Sequence, residues 1–529
     1  MMAIGTRLDL ARAVAVAALA GSLALAACSD PAPDGGGQTS GSDRSSTGEP
    51  VSAAATNVPA RDSSELRLRG PRLAVPRSVD DSEHPHPQYP RMLNRDGADA
   101  RGRTRLRRDF PHTVTLPVRY GLLHAHTWYS DGSGTPAEAF ARAASLGLDF
   151  LAVTEHNHDK AEQGASGERR DKVLIATNPD LMNAGSDVTF VRQFKTNGTE
   201  QTETVTSPSL VSAATQATTA NFVAIVGQEF SSISSGNHLN VLGWNELLTV
   251  GNGDFGGLYS GFGDATPVLQ MNHPDVQLDL FYRGSNSATQ GNMFNDYGFD
   301  DFGEDFATLV AEADKFIVLL EVLTGPAFAE SANDSFHYDH HENDYYYYLI
   351  QGFHLSPSVG HDNHFRTWGD ATPARMGVFA SSLTTEGLLN AMRANRTFAS
   401  EDRDLRIDFQ INGAGMGEVL TLDTGTALNP RLVIADSSDA NSEYTVELIY
   451  GDVQAQQRAN LVKWVPSDGL TESFTFTGEG QLDFDAYEAS GLPEFFYVRV
   501  TQGDGDRAWS APIWINHPRS YPAGGDPDS

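Results

Sequence analysis

The stretch Leu122-Leu123-His124-Ala125-His126-Thr127-Trp128-Tyr129-Ser130-Asp131-Gly132 delivers two imidazoles and a carboxylate to the end of a short apolar run. Residues two apart on a strand point to the same face, so His124 and His126 emerge side by side, as two ligands of one ion require. Asp131 follows in the turn.

The arrangement recurs downstream. Thr135-Pro136-Ala137-Glu138 has the form of a capping box with proline at the first helical position, and Phe140, Ala141 and Ala144 recur at helical spacing before Gly147. Phe150-Leu151-Ala152-Val153-Thr154 is then a continuous apolar run, as a strand buried on both faces requires. Strand, helix and strand in so short a span make a βαβ unit with parallel strands, whose C-terminal ends share an edge. That edge carries His124 and His126, then Glu155-His156-Asn157-His158. Other short apolar runs lead to the same residue types: 222–226 to Glu229, 269–271 to His273, 316–320 to Glu321, and 356–360 to Asp362 and His364, with His238 inside 237–241. Ligand-type residues at strand exits are the pattern of a parallel α/β barrel with its active site on the C-terminal rim. Residues 159–206 read as a polar, loop-rich insertion.

The 529 residues exceed what one hydrophobic core serves, so two folded domains plus unstructured sequence are expected. Beyond Asp404 short alternating runs at 405–411, 444–450, 473–477, 495–501 and 511–515 are separated by Gly, Asp and Asn, the texture of an antiparallel β-sandwich. Trp509 and Trp514 there, and the helical run 345–348 of tyrosines, read as packing residues. The formal charge of −32, with a dense basic run only at 101–108, excludes a surface that wraps nucleic acid, so no stable nucleic-acid complex is expected.

The single cysteine is informative. Arg7 and Arg12 precede an apolar stretch that closes with Leu25-Ala26-Ala27-Cys28, a short leader resembling a bacterial lipobox. This implies cleavage before Cys28, lipid on its thiol, and a membrane-anchored protein of the bacterial envelope, facing the periplasm or held in the outer membrane. The expected plan is a leader over 1–28, a Gly/Ser/Pro-rich tether with His84 and His86 over 29–100, a catalytic domain over 101–402, a sandwich over 403–519 and a tail over 520–529.

Imidazoles and carboxylates without thiolates suit zinc, manganese or iron in an open site. The order His124-Ala125-His126, Ser130-Asp131-Gly132, Thr154-Glu155-His156-Asn157, Gly227-Gln228-Glu229, His238, Asn272-His273-Pro274 and Asp362-Asn363-His364 resembles the PHP family, the polymerase and histidinol phosphatase domain, from about Tyr120 to Ser400. The resemblance implies a distorted seven-stranded β/α barrel holding two or three divalent ions. His124, His126, Glu229 and Asp362 would hold the first, Glu229, His238 and His273 the second, and Asp131, His156 and His364 the third. The leader, the sandwich and the ending 508–514 are similar to the secreted, carbaryl-hydrolase-type branch of that family.

The reaction this implies is that of a phosphoesterase: a hydroxide bridging two ions attacks a phosphate mono- or diester, with Glu229 and Asp362 at the reacting centre. The substrate would be a small phosphorylated molecule or a nucleotide or oligonucleotide end. Arg366 is a candidate phosphate clamp or a surface ion pair, and Glu321 either orients a ligand histidine or accepts hydrogen bonds at a strand end. His158, His354 and His361 are candidates to protonate a leaving group. A carbamate, ester or amide hydrolase on the same site is an alternative, and a non-catalytic binding lipoprotein is another.

Overall fold

The computed structural model describes residues 105–107, 116–157, 174–196, 199–232, 237–250, 255–274, 310, 313–332, 339–350, 352–439, 441–452 and 471–517. These belong to one compact unit, Ala60–Ser529. The leader with Cys28, the tether with His84 and His86, His158 and the tail over 520–529 lie outside the described residues.

The protein is mixed α/β and mostly strand, with one large mixed sheet. Its N-terminal half contains β1 (Arg105–Arg107), β2 (Val118–Leu122), β3 (Phe150–His156), β4 (Asp187–Thr196), β5 (Thr199–Pro208), β6 (Val223–Ser232) and β7 (Asn237–Leu242). There follow β8 (Val268–Met271), β9 (Ile317–Thr324), β10 (Asp339–His340), β11 (Ser356–Gly360), β12 (Arg375–Phe379) and β13 (Thr397–Ser400). Between β2 and β3 runs the helix Pro136–Ser145, opened by a reciprocal capping box of Thr135 and Glu138.

β2, β3 and β6 pair in parallel, as do β8, β9 and β11. β7 joins the two sets and runs antiparallel to both β6 and β8. A parallel bridge between Ala125 and Asn363, with the His126 N–H donating to the Asn363 carbonyl at 2.9 Å, links the chain beyond β2 to the chain beyond β11. The series of seven strands therefore returns on itself. The reversal of β7 departs from the all-parallel expectation, because only residues 233–236 connect it to β6 and a parallel crossover needs a dozen or more.

The stretch read as loop-rich contains a two-stranded ribbon, β4 paired with β5 from Asp187↔Pro208 to Thr196↔Thr199. β5 reads TEQTETVTSP, polar on both faces, so no apolar alternation marks it. Threonine and valine nevertheless suit extended backbone. Tyr129 seats the ribbon, donating its hydroxyl to the Pro208 carbonyl and meeting the Phe190 ring edge-on at 5.5 Å.

The C-terminal half adds β14 (Arg406–Ile411), β15 (Ala414–Gly415), β16 (Val419–Leu420), β17 (Ala427–Leu428), β18 (Pro430–Ala435) and β19 (Glu443–Asp452). It ends with β20 (Thr471–Thr477), β21 (Gly480–Asp483), β22 (Tyr487–Glu488), β23 (Glu494–Gln502), β24 (Arg507–Ser510) and β25 (Ile513–Ile515). A five-stranded sheet runs β1-β21-β18-β14-β15. The large sheet continues from β12 and β13 into β24, β23, β19 and β20, so hydrogen bonding crosses the boundary expected at 402/403. β1, assigned by position to the catalytic domain, pairs instead with β21.

β23 shows how the halves are joined. Phe496, Val498 and Val500 enter one apolar cluster with Ile407, Phe409, Leu432 and Ile434 of the five-stranded sheet. Phe495 and Tyr497 enter the other cluster, with Tyr345, Tyr346, Trp509 and Trp514. This is the period-two alternation of a strand buried on both faces. Each such phenylalanine or valine stabilises the fold by about 1.5–3 kcal/mol relative to exposure.

Candidate metal centre

His124 and His126 lie just past β2, Glu229 lies within β6, and Asp362 follows β11. His124 Nε2 is 3.2 Å from His126 Nε2, 3.3 Å from Glu229 Oε1 and 3.2 Å from Asp362 Oδ1. His126 Nε2 is 3.4 Å from Glu229 Oε2 and 3.0 Å from Asp362 Oδ1. Donor atoms bound at about 2.0–2.1 Å to one ion are separated by about 3.0 Å in an octahedron and about 3.4 Å in a tetrahedron. The edges of this group are those of such a cage.

Two further groups share members with the first. His238 Nδ1 is 2.9 Å and His273 Nε2 3.6 Å from Glu229 Oε1. Asp131 Oδ1 lies 3.3 Å from His364 Nε2, 3.5 Å from His156 Nε2 and 3.8 Å from His126 Nδ1. This Asp131 oxygen is buried without a hydrogen bond, although three imidazoles surround it. A buried oxygen facing imidazole nitrogens outside hydrogen-bonding geometry fits a shared cation between them. The structure thus brings together His124, His126, Asp131, His156, Glu229, His238, His273, Asp362 and His364 on one rim.

Local backbone conformation contributes. Among the described residues five non-glycines have positive φ; three are asparagines, which tolerate it, and the others are His273 at 30° and Asp362 at 50°. Two ligand-type residues thus adopt a left-handed backbone that non-glycine residues seldom take, a feature that clusters at functional sites.

A shell of hydrogen bonds orients the donors. Glu321 Oε1 is 2.8 Å from His124 Nδ1, leaving the opposite nitrogen free to face the cage. The same carboxylate accepts from Gln270 Nε2 at 2.9 Å, the His273 N–H at 2.8 Å and Thr324 Oγ1 at 2.8 Å. Gly360 makes room for it, since a Cβ there would fall 1.8 Å from Glu321 Oε1. Asn272 Nδ2 donates to Glu229 Oε1 at 2.9 Å, and Ser130 Oγ is 3.2 Å from His126 Nδ1. Glu155 accepts from the Thr127 N–H at 3.1 Å and from both the Thr127 and Ser130 hydroxyls, fixing the loop that carries His126 and Asp131. The sequence reading had no role for Glu155 or Gln270. The available signal was a polar group inside a buried strand, which has to be paired.

Burial opposes charge at the rim, and at His124, His364, Asp131 and Glu229 the neighbours reverse its effect. Burial alone would lower the proton affinity of His124, but Asp362, Glu321 and Glu229 hold it well above the usual imidazole range. The His364 imidazole is likewise depressed by burial yet raised by Asp131 and Asp362, to about 9. Burial would raise Asp131, but His364 and His156 hold it well below the ordinary carboxylate range. Glu229 is held low in the same sense by His238, His156 and His124. The carboxylates are thus held negative, and without an ion the imidazoles answer that charge with protons, the charge that bound divalent cations would supply in their place.

Other sequence candidates stand elsewhere. Arg366 pairs with Glu138 at 3.0 Å on the surface, with its guanidinium 5.1 Å from the Trp128 ring centre; Arg192 of the ribbon lies 3.9 Å from the same ring. His354 is committed to Asp314 Oδ2 at 2.8 Å and the His517 carbonyl at 3.0 Å, so both its ring nitrogens are engaged there. His361 is buried against Thr372, and burial with Arg375 nearby lowers its pKa to about 3, which leaves it neutral and unable to act as an acid. Asp402, Asp404 and Asp436 cluster in the C-terminal half, where Ser437, Ser438 and the amides of Asp404 and Leu405 supply their hydrogen bonds.

No family model matches the chain. It is 27% identical over 150 residues to an uncharacterized protein of Chlamydia trachomatis serovar D, and 27% identical over 157 residues to one of Chlamydia muridarum. Each match covers 27% of this chain and 23% of the relative, so the chain matches about a quarter of the length of these curated proteins. A crystal structure of a two-domain protein from Bacteroides vulgatus, containing a predicted PHP-like metal-dependent phosphoesterase, aligns over 78% of this chain and 99% of its own, at 12% identity and a TM-score of 0.36.

Proposed function

We propose that the rim binds divalent ions and that the protein is a metal-dependent hydrolase acting on phosphate esters. One observation carries the reading. The Glu229 carboxylate lies among four imidazoles from three segments, 3.3 Å from His124, 3.4 Å from His126, 2.8 Å from His156 and 2.9 Å from His238. Its two oxygens thus belong to adjoining groups, the position of a carboxylate shared between ions. Divalent ions bound there supply Lewis acidity and a water that loses its proton near neutral pH.

The chain's own residues do the rest. Glu321 fixes which nitrogen of His124 faces the cage, and Asn272 holds Glu229 in place. Asp131 and Asp362 add negative charge that balances bound cations. The preference for phosphorus over a carbonyl centre rests on the motif order. We also read the closed strand series as the distorted barrel of that resemblance, the two layers around β14 and β23 as the β-sandwich, and the leader with Cys28 as a lipid anchor in the envelope.

Purified protein supplied with zinc or manganese is expected to turn over aryl phosphates. Turnover of aryl carbamates alone would move the chemistry to a carbonyl centre. An unaltered mobility and membrane association in Cys28→Ala would remove the anchor.

A further inference from the structure

The side of the rim formed by His364 ends in an aromatic ring that none of the metal groups requires. Phe328 is 57% exposed, and its ring centre lies 4.8 Å from that of His364. His364 stacks on His126 at 4.5 Å, and His126 stacks on His156 at 4.5 Å. Phe328 is therefore the outer member of a column of four rings that leads from the surface into the ligand set.

Its backbone is tied down on both sides. The Ala327 carbonyl accepts from the His364 N–H at 2.8 Å, and the Ala329 carbonyl accepts from Thr367 Oγ1 at 2.7 Å. Before them, the Gly325 N–H donates to the Gly360 carbonyl at 2.9 Å. The loop after β9 is thus fastened to the very segment that carries Asp362 and His364, and the ring is displayed rather than packed away. A single exposed phenylalanine is ordinary by itself; what sets Phe328 apart is that its ring lies against a ligand-type imidazole on a loop fastened beside that imidazole.

We propose that Phe328 is a substrate-specificity residue whose exposed ring stacks against an aromatic group esterified to the centre held at the rim. Rings stack offset or edge-to-face, geometries open to a planar aryl or heterocyclic group and closed to a short alkyl group. The inference rests on the hydrolase reading and adds to it the class of ester preferred: aryl over alkyl.

The test measures, by calorimetry on the metal-loaded full chain, the dissociation constants of phenylphosphonate and methylphosphonate, with metal content read in parallel. Wild type should favour the phenyl ligand, Phe328→Ala should reduce that preference by about tenfold, and Phe328→Trp should restore it. An unchanged ratio in Phe328→Ala overturns the proposal. So does a loss of both ligands together with the metals, which would mean that the ring only shields His364. If wild type binds neither phosphonate, the hydrolase reading itself fails and takes this inference with it.

Discussion

Two regions of the molecule bury carboxylates, and they satisfy them differently. At the seam between the two halves, Glu342 and Glu447 meet Arg499, whose Nη1 lies 2.5 Å from Glu342 and whose Nε donates to Glu447 at 2.7 Å. Nearby, Glu401 accepts from the Arg507 N–H at 2.6 Å and lies 2.7 Å from His340 Nε2. At the rim, Asp131 and Glu229 are just as hidden, but the groups around them are imidazoles. A guanidinium is a permanent cation and closes the account with the carboxylate it faces. An imidazole is a cation only when protonated, and as a neutral ring it offers a lone pair. The seam's carboxylates face guanidinium cations that the chain itself supplies, whereas the rim is arranged for a cation from solution.

Substitutions can break this contrast. The largest effect is expected from Glu229→Gln, which keeps the shape but removes the shared charge: hydrolysis should fall by about a thousandfold with loss of bound metal, while circular dichroism stays native. Arg499→Leu should act in the opposite manner. Stranding Glu342 and Glu447 without their cation should cost about 3–5 kcal/mol in denaturant unfolding, with metal per folded chain unaltered. If this variant loses metal as readily as stability, the two regions are not separable. Glu321→Gln lies between them, with an expected 10–100-fold weakening of metal affinity (about 10–100-fold is the usual range for such orienting partners) and a native fold. Unaltered affinity would make Glu321 a strand-end acceptor only.

The smallest effect sharpens the comparison from the other side. Asp506, in the turn before β24, has its pKa pushed up to about 7 by burial and by Glu401 and Asp504. Its unfolded value is about 3.9, so the folded state holds the proton more tightly and stability falls as pH rises from about 4 to 7. Asp506→Asn removes that penalty. Its melting temperature at pH 8 should exceed that of wild type by about 2 °C, after discounting for solvent screening, and should match it at pH 4.

Much of the rim was legible because strand alternation is a strong rule. His124 and His126 two apart, and polar residues closing apolar runs near 154, 226, 271 and 360, locate the donors without knowledge of the fold. Three features were not legible, each for a physical reason. β7 is antiparallel because of a connection too short to cross over, and connection length is ambiguous until strand ends are known. The ribbon escapes detection because β5 is polar on both faces, so the short apolar alternation of Val188, Phe190 and Phe194 in β4 has no apolar partner strand in the sequence to support it. The seam is hidden because β23 divides its apolar residues between two cores, Phe495 and Tyr497 to one and Phe496 and Val498 to the other, and a continuous apolar run does not reveal its partners. His354 and His361 were plausible acids by proximity in sequence, but their hydrogen bonds commit them elsewhere.

Elemental analysis of the protein, after equilibration with zinc, manganese or iron and removal of excess, tests the central claim most directly. The account predicts more than one divalent ion per chain in wild type and a stoichiometry that drops in Glu229→Gln but not in Arg499→Leu. Wild-type protein that retains no divalent ion, or a Glu229→Gln variant that retains as much as wild type, would contradict it.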